Sequence, residues 1–177
     1  MNGYVQGDPM LCIGCRTCMI GCVVAHEGRH IFEIDPDSYD FHPRLKVIKT
    51  YNVSVPVQCK HCENPACQAA CRSEAISVAD GTVVINTDKC IGCKSCTEAC
   101  PFGAVRMVTL GQTGNQDGTP RSVAHKCDLC RGLSKGPACL RVCPTSALRL
   151  VKEEDLAASL KSRRAAAVEA ALTLEER

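Results

Sequence analysis

In 177 residues the chain sets 16 Cys against three Phe, three Tyr and no Trp, so large aromatic rings do not build its interior. That length holds one compact domain, or two small ones sharing an interface. Lys and Arg number 21 against 19 Asp and Glu, a formal net charge of +2, which offers no basic field for nucleic acid. No apolar run reaches the roughly 18–20 residues of a membrane span. The first ten residues lack the basic and apolar segments of a signal peptide. A cytoplasmic chain with reduced thiols is therefore expected, and Cys at this density then points to metal rather than to disulfides.

Taken in chain order, the first Cys group is Cys12, Cys15, Cys18 and Cys22, spaced C-x2-C-x2-C-x3-C. Leu45 to Lys49 and Val53 to Val57 read as a short strand pair, and Pro56 restricts the second strand to an edge. The second group is Cys59, Cys62, Cys67 and Cys71, with four residues in its middle gap. Ile76 to Val78 and Thr82 to Ile85 flank Asp80-Gly81, a hairpin signal between β-branched runs. The third group, Cys90, Cys93, Cys96 and Cys100, repeats the spacing of the first and ends in C-P with Pro101. Gly111 to Pro120 has no periodicity and reads as an exposed loop. The fourth group is Cys127, Cys130, Cys139 and Cys143, with an eight-residue middle gap and Pro144 after it. Glu153 to Arg177 contains no Gly, Pro or Cys, and predicts one helix of about 25 residues, ~37 Å long. Its acidic start, Glu153-Glu154-Asp155, suits a helix N-terminus.

Four complete groups with no Cys left over form an internal repeat of metal ligands. Groups two, three and four are followed by Arg72-Ser73-Glu74-Ala75-Ile76, Pro101-Phe102-Gly103-Ala104-Val105 and Pro144-Thr145-Ser146-Ala147-Leu148. Each tail is a short turn, a small Ala and an aliphatic residue. Group one lacks it. The C-x2-C-x2-C-x3-C-P run is the bacterial ferredoxin arrangement for [4Fe–4S] clusters. Three close thiolates wrap one corner of a cubane, and the fourth points to a neighbouring cluster, so two runs exchange their fourth ligands. Zinc ribbons separate their C-x2-C pairs by a dozen or more residues, whereas groups one and three crowd four Cys into eleven residues. Four [4Fe–4S] clusters on all sixteen Cys are expected.

Complete ligation leaves no iron open to a substrate, and no phosphate loop or nucleophile motif is visible. The expectation is electron transfer with no catalytic residue. Arg16, Lys60, Lys94 and Arg131 each follow a Cys directly. A cation there raises a cluster's potential if it is close, and does little if it is solvated. Gly14 and Gly92, inside C-I-G-C, suit a close approach of backbone N–H to sulfide. His61, inside C-K-H-C, is a candidate donor to a cluster sulfur rather than a ligand.

The stretches C-I-G-C-R-T-C-M-I-G-C, C-K-H-C-E-N-P-A-C-Q-A-A-C, C-I-G-C-K-S-C-T-E-A-C-P and K-C-D-L-C…G-P-A-C-L-R-V-C-P carry a likeness that runs from about residue 8 to 150. Through them the chain resembles the four-cluster ferredoxin-type electron-transfer subunits of molybdenum or tungsten oxidoreductases. The small members associated with formate dehydrogenase, formate hydrogenlyase and tungsten aldehyde oxidoreductase are the nearest in pattern. Arg72 departs from it, standing where a proline commonly follows the Cys. The resemblance implies an α+β fold of tandem bacterial-ferredoxin-like units, two pseudo-symmetric two-cluster modules of short β-hairpins and short helices. The predicted long C-terminal helix follows them. Residues 1–152 would form the four-cluster polyferredoxin domain, its inner module at about 55–110 and its outer module at about 8–35 and 121–150.

The resemblance also implies a pairing of ligands. One outer cluster takes Cys12, Cys15, Cys18 and Cys143, and its mate takes Cys127, Cys130, Cys139 and Cys22. One inner cluster takes Cys59, Cys62, Cys67 and Cys100, and its mate takes Cys90, Cys93, Cys96 and Cys71. The four would line up as a wire. The expected partners are a molybdenum or tungsten catalytic subunit and, beyond it, a hydrogenase, an NAD-reducing flavoprotein or a ferredoxin. A free-standing soluble polyferredoxin is the alternative. Residues 153–177 are expected to be an assembly arm. There Leu156, Leu160, Val168 and Leu172, beside Ala167 and Ala171, make a narrow apolar stripe interrupted by Arg164. The stripe either docks on its own subunit or frays, or it packs on a catalytic subunit or on another copy. Head-to-tail contact between copies would make a filament.

Overall fold

Asp80 and Gly81 both adopt positive φ, 49° and 67°, the combination that lets a two-residue turn follow the twist of its strands. The strands on either side, β4 (Ile76–Ala79) and β5 (Thr82–Ile85), pair in register as the sequence predicts, with Val78 opposite Val83. The computed structural model that shows this describes residues 2–28, 31–33, 41–110 and 120–174. Its remaining elements are β1 (Tyr4–Gly7), α1 (Thr17–Glu27), a 3-10 turn at Ile31–Glu33, β2 (Leu45–Lys49), β3 (Ser54–Gln58) and α2 (Ala66–Ala69). After the β4–β5 hairpin come α3 (Ser95–Ala99), β6 (Arg106–Leu110), β7 (Arg121–His125), α4 (Ala138–Arg141), β8 (Leu148–Val151) and α5 (Glu153–Leu174). The predicted loop at 111–119 lies outside the described residues, as do the last three residues of the predicted helix.

Each described strand belongs to a two-stranded antiparallel sheet, paired β1–β8, β2–β3, β4–β5 and β6–β7. Pro56 in β3 stands opposite Val47 and has no third strand to serve, so its missing N–H costs no ladder bond. The architecture is α+β and ferredoxin-like, with small strand pairs, short helices and a C-terminal helix. Sequence reading found β2 to β5 but neither β1–β8 nor β6–β7.

Thiols occupy the interior that aromatic rings leave open. One buried group joins Cys67, Cys90 and Cys96 to Ile76, Val83 and Val105. Another joins Cys18, Cys22 and Cys139 to Val5, Leu45 and Leu148. A third, of Cys59, Ala104 and Cys127, connects them, since Cys100 packs on it and on the first while Leu129 packs on it and on the second. Helix α1 crosses α4 at Gly21, where a Cβ would stand 2.6 Å from Val142 Cγ2. Gly21→Ala is therefore expected to cost about 1–3 kcal/mol through overpacking. Val142→Ala in the same chain should recover most of that, and unfolding midpoints of the four-member mutant cycle measure the coupling.

Helix α5 lies largely in solvent. Among its described side chains only Leu156 and Ser159 are half-buried, while Leu160 is 50% and Val168 65% exposed. The protein's own core thus leaves that part of the stripe uncovered; the side chain of Leu172 lies outside the described residues. Among the described residues no helix is long and apolar enough to cross a membrane.

Candidate metal centres

The Cys-bearing loops repeat at the level of single dihedral angles. Arg16 and Lys94 hold matching places before α1 and α3, with φ of 63° and 67°. The third residue after the last Cys is left-handed in groups two, three and four, at Glu74, Gly103 and Ser146, with φ of 52°, 57° and 52°. That turn returns the next N–H to the thiol. Ala75 donates to Cys71 Sγ at 3.3 Å and Ala104 to Cys100 Sγ at 3.4 Å, and the Ala147 N–H meets Cys143 likewise. The three Ala side chains are buried. Arg72 in place of proline leaves this turn unchanged. Group one, lacking the tail, receives its donor from a distance, because Arg44 N–H bonds Cys22 Sγ at 3.4 Å.

Two cavities show how the groups meet. One, a small space of about 20 Å³, is lined by Cys12, Cys15, Cys18 and Cys143. The other, of about 10 Å³, is lined by Cys71, Cys90, Cys93 and Cys96. In each, three thiols come from one sequence group and the fourth from another. Cys139 is close enough to Cys127, Cys130 and Cys22 for their charges to raise its pKa, after burial, the larger cause. Cys67 is raised to about 11 by burial, then by Cys59 and, after the opposing pull of Lys126, by Cys100. Cys62 is half-buried on the same loop as Cys59, where its carbonyl accepts a bond from Asn2. No three His, Cys, Asp or Glu side chains among the described residues converge on a point that one ion would fill.

The chemistry of the donors fits iron–sulfur clusters. Burial pushes Cys18 up to about 11 and Cys127 up to about 12, so these sulfurs ionise only against a strong cationic partner. Hydroxyl groups stand two residues beyond Cys15, Cys71, Cys93 and Cys143, at Thr17, Ser73, Ser95 and Thr145, with S···O distances of 3.4 to 3.7 Å. Cys93 is lowered chiefly by Ser95. Cys71 and Cys143 are lowered because hydroxyl and N–H donors outweigh burial. His61 is 1% exposed; its Nδ1 accepts from Val83 N–H, which leaves its proton on Nε2. Nε2 has no partner, and burial holds the ring neutral with a pKa lowered to about 4. A cluster sulfur is the kind of acceptor this orphaned donor requires.

Of the basic residues singled out by sequence, Arg16 and Lys94 are exposed, Arg131 pairs with Asp80, and Lys60 lies 4.8 Å from the centre of the Tyr4 ring. The ionic groups drawn furthest from solvent are others. Asp128 pairs with Arg44 and accepts from His26 Nε2 at 3.0 Å, while His26 Nδ1 lies 2.8 Å from the Cys22 carbonyl. Burial would depress His26, but the Asp128 carboxylate lifts it to about 10; burial would lift Asp128, but His26 and Arg44 hold it at about 2. This network binds α1 to the loop of group four. Lys126 is 4% exposed. Sequence reading passed over Arg44, Lys126 and Asp128, whose only signal was adjacency to Cys127 or to a strand.

The 4Fe–4S dicluster domain family matches residues 50–153. Electron transport protein HydN of Escherichia coli (strain K12) is 40% identical over 174 residues, covering 93% of this chain and 98% of that one. Hydrogenase-4 component A of the same organism is 34% identical, covering 92% and 89%. Putative oxidoreductase AegA of that organism is 42% identical over 165 residues, and the chain spans only 24% of its length.

Proposed function

The chain belongs to the 4Fe–4S dicluster domain family, and from that premise we propose that it carries four [4Fe–4S] clusters and relays electrons between a catalytic subunit and a second redox protein. What carries the reading is the cavity at Cys12, Cys15, Cys18 and Cys143, a ligand set drawn from opposite ends of the Cys array. The ligand sets are those implied by the resemblance, with Cys127, Cys130, Cys139 and Cys22 beside the first. Cys59, Cys62, Cys67 and Cys100 form the third, and Cys90, Cys93, Cys96 and Cys71 the fourth. Proximity supports their order as a line. Cys18 acts on Cys139, Cys59 acts on Cys127, and Cys67 shares a buried group with Cys90 and Cys96. Two tandem two-cluster modules, joined at Cys59 and Cys127, account for this order.

When bound, each cluster supplies a centre that takes up and releases an electron. The chain's own residues exclude water from most of the thiols, direct N–H and hydroxyl donors at the sulfurs, and hold the sets in sequence. With sixteen Cys for four clusters, no iron is left for bond chemistry, so the subunit is non-catalytic. The resemblance favours a molybdenum or tungsten enzyme, a formate dehydrogenase or aldehyde oxidoreductase, as the catalytic partner. The names of HydN and hydrogenase-4 component A favour a hydrogenase as the other. Reduced thiols in this number suit the cytoplasm. The exposed stripe of α5 supports an arm that meets a partner or another copy, and head-to-tail contact would give a filament.

Anaerobic purification tests this. About sixteen iron atoms and as much labile sulfide per chain are expected, together with a co-purifying subunit that contains molybdenum or tungsten. Zinc, or half the iron, refutes the cluster number. A fully loaded lone monomer as the sole species refutes the fixed partnership and returns the reading to a free-standing polyferredoxin.

A further inference from the structure

Lys126, between β7 and Cys127, is 4% exposed, and among the described residues no carboxylate pairs with it. An ammonium has three N–H donors, and two backbone acceptors meet two of them here. They are the Val83 carbonyl and the Cys127 carbonyl at 2.9 Å. Burying a positive charge without a negative partner is costly, so the site calls for anionic sulfur nearby. The placement is fixed. Val83, itself 1% exposed, accepts from Lys126 with its carbonyl and donates to His61 with its N–H. One residue of β5 thus holds both polar side chains at the joint between the two halves of the molecule. His61 in turn donates its backbone N–H to Cys59 Sγ at 3.4 Å, so Val83 seats Lys126 at the loop of that thiol, where it opposes the upward push of burial on Cys59 and Cys67. The cation that acts on Cys93, in the neighbouring set, is the exposed Arg72.

Resting on the four-cluster reading, we infer that Lys126 is the fixed counter-charge of the cluster held by Cys59, Cys62, Cys67 and Cys100, making that cluster the electron sink of the chain. A cation in a water-poor place stabilises added negative charge far more than one at the surface. An electron arriving there meets a positive charge already in position, so one electron is gained and no proton need follow it.

The test is a potentiometric EPR titration of the anaerobic, fully loaded chain carrying Lys126→Met, Lys126→Gln or Lys126→Arg. In both neutral variants the equilibrium constant for reducing one cluster should fall at least tenfold, 59 mV for a one-electron couple. The affected signal should be the one that Cys67→Ala also alters. The Arg variant should remain within roughly threefold of the parent on the same scale. Unchanged potentials in a fully loaded neutral variant overturn the assignment. So does an Arg variant that shifts as far as the Met one, because packing is then the cause. Loss of one cluster's iron from the neutral variants alone supports it, since charge is then needed to hold the cluster; loss from all three overturns it. A parent chain with fewer than four clusters would instead overturn the reading on which this rests.

Discussion

Replacing Cys100 by Ala should change the EPR signal that Cys67→Ala changes, and leave the one that Cys96→Ala changes. Cys96 is Cys100's neighbour in sequence, in one helical turn, yet Cys67 and Cys59 are the thiols that feel Cys100. Cys96 instead answers to Cys90, Cys71 and Cys93. Each substitution should cost between about one and four of roughly sixteen iron atoms, according to whether the damaged cluster sheds one iron or dissolves. The outer half offers the same test, with Cys143→Ala expected to match Cys18→Ala rather than Cys139→Ala. A chain in which Cys100 and Cys96 affect one common signal would have local ligation, and the proposed exchange of fourth ligands would be wrong.

Gly92→Ala should be among the most damaging single-methyl changes available. Its φ of +70° disfavours any side chain by roughly 1–2 kcal/mol. A Cβ there would also stand 2.7 Å from the backbone oxygen of Ser122, a collision worth about 1–3 kcal/mol more if neither side yields. Yielding is difficult, because the Arg121 guanidinium bonds the carbonyls of Thr87, Asp88 and Cys90 and clamps that loop to β7. A total of about 2–5 kcal/mol is a large share of the stability of a domain this size. Gly103→Ala is the control: its φ is +57°, and nothing lies within 4 Å of the added methyl. Denaturant midpoints should separate the two by the collision alone. Equal losses would mean that the Ser122 contact is slack.

The metal-binding character of the Cys groups was legible because thiols at C-x2-C-x2-C-x3-C spacing have few other uses. The hairpin at Asp80-Gly81 was legible because its turn chemistry is local. The strands β1, β6, β7 and β8 were not, since Tyr4–Gly7 becomes a strand only by meeting Leu148–Val151. A tetrapeptide carries too little alternation to announce a partner that far away. The repeated tail after the last Cys was visible as residues, but its purpose lay in a left-handed turn that returns an N–H to sulfur. Arg44, which supplies that N–H for Cys22, sits in no motif at all. Lys126 escaped for a different reason. A Lys beside a Cys reads as a solvated charge, and Arg16 and Lys94 are that, so only burial distinguishes the one residue that differs.

The pairing of β1 with β8, and of α1 with α4, also sets a timetable. Synthesis runs at roughly 5–20 residues per second, so α1 waits on the order of ten seconds before Ala138–Arg141 exists to cover it. Residues 59–100, by contrast, emerge as one continuous stretch, and α2 can meet α3 almost as soon as both are made. The inner half closes first, and the strand at Tyr4–Gly7 is captured last. Throughout that interval Cys12, Cys15, Cys18 and Cys22 lack the cover of α4 and the company of Cys143. The chain is thus most open to oxidation while it is still being made.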